Sequence, residues 1–257
     1  MPPDPVNIAA KSHMIAIETS SDVCSVAAFS DGILIQEIRT DIARSHATQL
    51  VPMMERLLTE SLDTHIDVIA VSSGPGSFTG LRIGVSAAKG LAFARRARIV
   101  SVPTLTGIAH GVMKQSFTVQ SSRTRSPAEQ AIIVVSPSRK EEVYCAAFRG
   151  YSGEYPRCVL TEAAVDIHSF EDLFARNGIR NAQVILSAPI PVFESLMEKI
   201  PSYTVRVKKP SAVDVGYWAL QKVFRGEYED TSTYEPYYLK AFHAEKPRLS
   251  ALDRLSF

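Results

Sequence analysis

The stretch best equipped for chemistry is Ser73–Gly84, SGPGSFTGLRIG. Gly74 and Gly76 bracket Pro75, which predicts a tight turn from a strand into a helix. Ser77 or Thr79 then supplies the hydroxyl that caps the helix start. The unsatisfied N–H groups of such a start favour an anion. As a phosphate loop, however, the segment is incomplete. The lysine of GxxxxGK[ST] is missing, and Gly80 falls four positions after Gly76, where GxGxxG needs three.

Within the helix that follows, Gly80, Gly84, Ala88 and Ala92 recur every four residues and leave a face almost without side-chain bulk. That stripe has two readings. A partner helix can approach it closely, or it packs on the protein's own sheet. The spacing favours neither.

Other reactive residue types are present without a motif. His13, His46, His65, His110, His168 and His243 are scattered, and neither HExxH nor GxSxG occurs. His110 reads as an ordinary surface histidine at a helix end, and Asp22 as a turn cap. Cys24, Cys145 and Cys158 form no CxxC pair and no metal-ligand spacing, so they read as buried thiols in a reducing compartment.

The elements that must hold these residues follow from pattern. Met14–Glu18, Val23–Phe29 and Ile33–Arg39 read as three strands, the last two joined across Asp31-Gly32. Ser45 is the expected N-cap of a helix over 46–61, in which Leu50, Met53, Met54 and Leu57 share a face. Pro52 inside that span predicts a kink or a later start. Ile66–Ser72 is the next strand, a helix follows over 79–95, and Ile99–Val102 closes the set. The polar run Gln115–Gln130 reads as a linker. Beyond it come strands at 132–135, 142–148 and 184–187, a helix at 192–199, and a helix from Ala212 to Arg225 capped by Ser211 and closed by Gly226. Tyr234–Phe242 reads as a closing strand. The expected fold is α/β, with mixed sheets and flanking helices in two lobes. The expected division is a tail over 1–13, a first lobe over 14–112, a second over 113–243 and a tail over 244–257.

The 257 residues carry 28 Lys+Arg against 27 Asp+Glu, a net charge of +1. That balance lacks the basic excess of a nucleic-acid-binding domain. Contact with RNA would need a local patch or a partner. Arg123, Arg125, Lys208 and Lys209 are candidates for phosphate contact, although solvated loop charge accounts for each as well. The N-terminal MPPDPVNIAAKSH has no apolar core of a signal peptide, and no run is long enough to span a bilayer. A cytoplasmic protein without membrane contact is expected.

Taken in order, MIAIETSSDVCSVAAFSDG, SHATQLVPMMERLL, SSGPGSFTGLRIGVSAAKGLAFA, VPTLTGIAHG, RKEEVYCAAF and YEPYYLKAF resemble segments of the TsaB (YeaZ) family. The resemblance spans Met14 to Phe242. It implies a two-lobed actin-like ATPase fold, as in sugar kinases and Hsp70. It also implies a place in forming threonylcarbamoyladenosine next to the anticodon of tRNAs that read codons beginning with A. The implied partners are the related catalytic subunit TsaD, the small ATPase TsaE, and a second copy of the chain. tRNA would be met indirectly, through the complex.

The implied pairing surface is the first long helix together with the small-residue helix: Leu50, Met53, Met54 and Leu57 with Gly80, Leu81, Gly84 and Ala88. Methionines repack cheaply and suit a surface with two partners. The catalytic relative carries HxxxH where this chain has Thr104 and Ile108. The resemblance therefore implies an accessory subunit without that metal site and without a tightly held cofactor of its own, with ATP or ADP at the interface of a complex. Pro137-Ser138-Arg139 departs from the family's Asp-Ala-Arg. Two other readings stay open: a stand-alone small-molecule kinase or ATPase of the same fold, and a metallopeptidase.

Overall fold

The computed structural model describes residues 12–61, 65–119, 131–139, 141–152, 155–198, 200 and 202–239. The first sheet contains β1 (His13–Glu18), β2 (Cys24–Ser30), β3 (Ile33–Thr40), β4 (Val68–Gly74) and β5 (Arg98–Pro103). The second contains β6 (Ala131–Pro137), β7 (Glu142–Ser152), β8 (Tyr155–Asp166), β9 (Ala182–Leu186) and β10 (Tyr203–Val207). The helices are α1 (His46–Ser61), α2 (Phe78–Arg95), α3 (Thr104–Val119), α4 (Phe170–Arg176), α5 (Pro191–Met197) and α6 (Ala212–Phe224).

The strand orders, β3-β2-β1-β4-β5 and β10-β9-β6-β7-β8, are the same topology used twice. In each sheet a central strand pairs antiparallel with the next strand in the chain and parallel with the strand after a helical crossover. This duplication is the two-lobed arrangement of mixed sheets with flanking helices expected from the sequence. Strand β1 is apolar up to Glu18 because it is covered on both faces. The Asp31-Gly32 turn has positive φ at both residues, 53° and 76°, which matches the twist of a two-residue hairpin.

Five layers stack. Helices α1 and α2 cover the outer face of the first sheet, burying Leu50, Met53, Leu57, Val85 and Ala88 against Ile15, Ile17, Ile69 and Val71. Its inner face, with Ala16, Phe29, Val68 and Val100, receives Val215, Ala219 and Val223 of α6. Helix α3 covers the inner face of the second sheet through Leu105, Ile108, Ala109 and Val112. Helices α4 and α5 close its outer face around Phe170, Phe174 and Phe193.

The expected lobe boundaries therefore need correction. Helix α3 leaves the first sheet and packs on the second, while α6 leaves the second sheet and packs on the first. Each inner helix buries its apolar stripe across the divide, so cuts at 112 and 243 do not separate the cores. Residues 234–239, the described part of the expected Tyr234–Phe242 strand, do not form a strand either. Within the described part, residues 227–239 form an irregular strap held by one bridge between Glu229 and Ile99 and by Tyr237 N–H donating to Ser73 O at 2.7 Å. Helix α1 continues through Pro52 from His46. Ser45 precedes it as expected: its carbonyl accepts Gln49 N–H at 2.9 Å, and its hydroxyl donates to Ile42 O at 2.6 Å. Of the tail expected over 1–13, His13 already opens β1, and of the linker expected over 115–130, residues 115–119 belong to α3. Residues 1–11, 120–130 with Arg123 and Arg125, and 244–257 lie outside the described residues.

Candidate functional site

In open α/β sheets, ligands bind in the crevice beyond the carboxyl ends of the parallel strands. Here that region gathers the ends of β1, β4 and β5 with those of β6, β9 and β10. Glu18 ends β1 and is 2 % exposed. It accepts Ser20 N–H at 2.6 Å, and burial pushes its carboxyl up to about 7. Ser72, at the end of β4, accepts Thr19 N–H at 3.3 Å. On the second sheet, Ser187 donates to Ser136 at 2.9 Å.

Lys208, just past β10, forms an ion pair with Asp214 in the first turn of α6, and both side chains are largely buried. Burial raises the Asp214 carboxyl, against the pull of the Lys208 ammonium. Gly111 of α3 presses on the same carboxylate, leaving no room for a side chain. Glu18, Lys208 and Asp214 in this region thus each have a partner within the chain.

His110 corrects the expectation of a surface histidine. It lies within α3, 5 % exposed, edge-on to Trp218 at 5.5 Å. Burial, with Lys114 and Lys208 nearby, pushes its imidazole down to about 4 and favours the neutral ring. Thr104 and Ile108 are buried on α3 at 3 % and 1 %. Among the described residues, no three His, Cys, Asp or Glu side chains stand close enough to hold a metal ion. The cysteines are free; Cys24 and Cys145 are buried as expected, whereas Cys158 is exposed. At the Pro137-Ser138-Arg139 departure, Ser138 donates to the Glu142 carboxylate at 2.8 Å. Asp22 is exposed, and it is Ser21 Oγ that accepts Val23 N–H at 3.1 Å in this turn.

The SGPGSFTG turn forms as the sequence predicts. Ser77 Oγ accepts Gly80 N–H at 3.2 Å and caps α2; Thr79 is exposed and plays no part in the cap. Its glycines serve close packing. A Cβ on Gly76 would overlap the Ser20 carbonyl, one on Gly80 the Thr19 carbonyl, and one on Gly74 the Tyr237 carbonyl. Ser77 N–H donates to Ser20 O at 2.7 Å, so the donors at this helix start are partly committed to the β1–β2 turn.

The residues expected at a pairing surface face inward. Leu50, Met53, Met54 and Leu57 of α1, and Gly80, Leu81, Gly84 and Ala88 of α2, are all buried within the chain. The small-residue stripe lets α2 lie flat on its own sheet and on Thr19, so these side chains cannot meet a partner directly. What the two helices turn outward is different: Val51 on α1, and Gly90, Phe93 and Ala94 on α2, with Ile83 and Ala87 half-buried against the core. Phe93 is 86 % exposed, and nothing lies within 4 Å of a Cβ built on Gly90. The signal was present in the sequence. Ser86, Gly90 and Ala94 repeat at the same spacing of four, two residues out of phase, which is the opposite side of a helix.

The family model described as TsaD, tRNA N6-adenosine threonylcarbamoyltransferase, matches residues 34–154. The tRNA threonylcarbamoyladenosine biosynthesis protein TsaB of Escherichia coli K12 is 33 % identical over 139 residues, 53 % of this chain and 55 % of that protein. The match thus spans about half the length of that relative. The protein of the same description from Buchnera aphidicola of Acyrthosiphon pisum is 25 % identical over 217 residues, 82 % of this chain and 89 % of that one. Among solved structures, YeaZ from Pseudomonas aeruginosa superposes with a TM-score of 0.69 at 24 % identity, covering 89 % of this chain and all of that one. That likeness establishes a shared fold.

Proposed function

We propose that this chain is a member of the TsaB (YeaZ) family, which the relatives it matches support, and that it is the accessory subunit of the assembly that forms threonylcarbamoyladenosine next to the anticodon in tRNA. Its part is to bind and support the catalytic subunit TsaD. The observation that carries this reading is the outward face of α1 and α2. Two neighbouring helices, already packed on one sheet, present Val51, Gly90, Phe93 and Ala94 to solvent, while Ile83 and Ala87 are half-buried against the core. Apolar side chains with a bare glycine among them suit close helix–helix contact, and an exposed aromatic is a common anchor.

The same face would serve a second copy of this chain, so homodimer and heterodimer exclude one another. Its partners TsaE, nucleotide and tRNA would be met at the assembled complex. Among the described residues, no helix is long and apolar enough to cross a membrane.

The test is size-exclusion chromatography with light scattering on the full chain mixed with the TsaD homologue of the same organism. A one-to-one complex is expected, lost in Gly90→Arg while that variant melts like wild type. A complex that survives both Gly90→Arg and Phe93→Asp would move the interface off this face. Failure of the wild type to bind would overturn the scaffold role. Modification of tRNA by the purified chain alone, given threonylcarbamoyl-adenylate, would overturn the accessory role.

A further inference from the structure

We infer that the second lobe carries an RNA phosphate-binding patch built from Arg149, Arg157, Arg176 and Arg180. Strands β7 and β8 pair so that Arg149 and Arg157 stand directly opposite. Directly opposed residues have Cα atoms about 4.5–5.5 Å apart, and like charges in that position destabilise a sheet. Both side chains are exposed, and neither is in an ion pair among the described residues.

The guanidinium of Arg149 is fixed in place, since its Nη2 donates to Gly178 O at 2.9 Å. Gly178 sits in the turn after α4 with φ of +71°, and Arg176 and Arg180 lie two residues to either side of it. Two residues of chain reach at most about 7 Å. Four exposed arginines therefore sit on one turn and the strand pair tied to it by Arg149. The carboxylates nearest along the chain, Glu171 and Asp172, belong to the first turn of α4 and form no ion pair with any of the four.

A chain with a net charge of +1 has no general reason to concentrate unpaired arginines. The Arg149 fork uses one of its five donors on Gly178 and has the others left for a ligand. Planar forks match phosphate oxygens in pairs, which a lysine cannot do. Ala175, Asn177, Gly178 and Asn181 around them are exposed and offer little apolar surface. Protein interfaces are depleted of charge at their centre and rely on apolar anchors, so the patch fits a phosphodiester backbone better than a protein. Of the positions expected from sequence to touch phosphate, the two described ones have partners within the chain: Lys208 pairs with Asp214, and Lys209 with Asp41. The inference rests on the proposed tRNA role but not on the α1–α2 face: it gives the chain its own contact to RNA on the other lobe, one that would add to whatever the assembled complex supplies.

The experiment is fluorescence anisotropy of a labelled, unmodified tRNA transcript with the full chain, between 50 and about 200 mM salt. Arg157→Glu/Arg180→Glu breaks no hydrogen bond assigned to either residue, and is expected to weaken binding at least tenfold. It should also flatten the slope of log affinity against log salt by about 1.4–1.8, the loss of two phosphate contacts. Arg149→Lys keeps the charge and loses the fork, and should weaken binding less. Arg44→Glu/Arg56→Glu makes the same charge change on the first lobe and should have little effect. Equal weakening by that control would overturn the patch. So would a wild type that does not bind the transcript, including the case in which the patch instead captures an acidic protein.

Discussion

Gly84 of α2 lies against the side chain of Thr19, so closely that a Cβ on Gly84 would overlap Thr19 Oγ1. Thr19 follows β1 directly, so this contact joins the small-residue helix to the turn between the first two strands. It is the reason the Gly80–Gly84–Ala88 stripe is an internal seam.

Gly84→Leu is accordingly expected to cost stability, by roughly 1–3 kcal/mol or more, as overpacking does. Urea unfolding of the isolated chain measures it. An unchanged midpoint would mean that the seam can open.

Gly90→Ala should do the opposite in the isolated chain. Its new methyl group meets open space, and replacing a mid-helix glycine gains about 0.5–1 kcal/mol. The same unfolding assay, run on both variants, separates the inner face of α2 from the outer one.

Stability should depend on pH through Glu18. Its folded value, raised by burial to about 7, lies above the ordinary 4.5. Between those values the folded chain holds a proton that the unfolded chain releases. The contribution of Glu18 is therefore intact below pH 4.5 and falls away as pH rises towards 7, by up to about 3 kcal/mol. Glu18→Gln should flatten this limb and leave the variant more stable than wild type at pH 8. Glu162, also raised to about 7 by burial, leaves a residual slope of the same sign. His110 acts in the other direction: lowered from 6.5 to about 4, it removes stability as pH falls through that window. Chemical unfolding at pH 5, 6.5 and about 8 resolves the two limbs.

Lys208→Met leaves the Asp214 carboxylate buried without its cation. Breaking a buried pair from one side costs on the order of 3–5 kcal/mol. Lys208→Met/Asp214→Leu should recover much of that loss. Thermal melts of the single and double variants decide it, and equal losses in the two would show that packing matters more than charge.

Thiol titration should divide the cysteines. Burial raises Cys24 to about 11 and Cys145 to about 12, and keeps both from reagent, while Cys158 is exposed on β8. One thiol should react in the native chain and all three in denaturant.

Much of this architecture is legible in the chain itself. Continuous apolar runs mark β1 and β4, Asp31-Gly32 marks the hairpin, Ser77 and Ser211 mark helix starts, and Gly226 marks a stop. Each is local chemistry, decided by backbone torsion or by the first unsatisfied N–H groups of a helix. Helix α3 and strands β8 and β10 were missed for a reason. The apolar residues of α3 are split between two partners, and β8 and β10 are sheet edges with much of their surface in solvent, so neither period stands out.

By itself, then, the sequence determined the fold class, the family it resembles, and which residues would be small, apolar or capped. Periodicity and turn chemistry depend on neighbours a few residues away. Only the tertiary structure decided which way α2 faces, that His110 is buried beside Trp218, that Lys208 belongs to Asp214, and that Arg149 stands opposite Arg157. Those facts join residues up to 108 positions apart in the chain, as His110 and Trp218 are. A helix with small residues on two opposite faces can lie on a sheet with either face, and only the fit of Gly80 and Gly84 against Thr19 selects one.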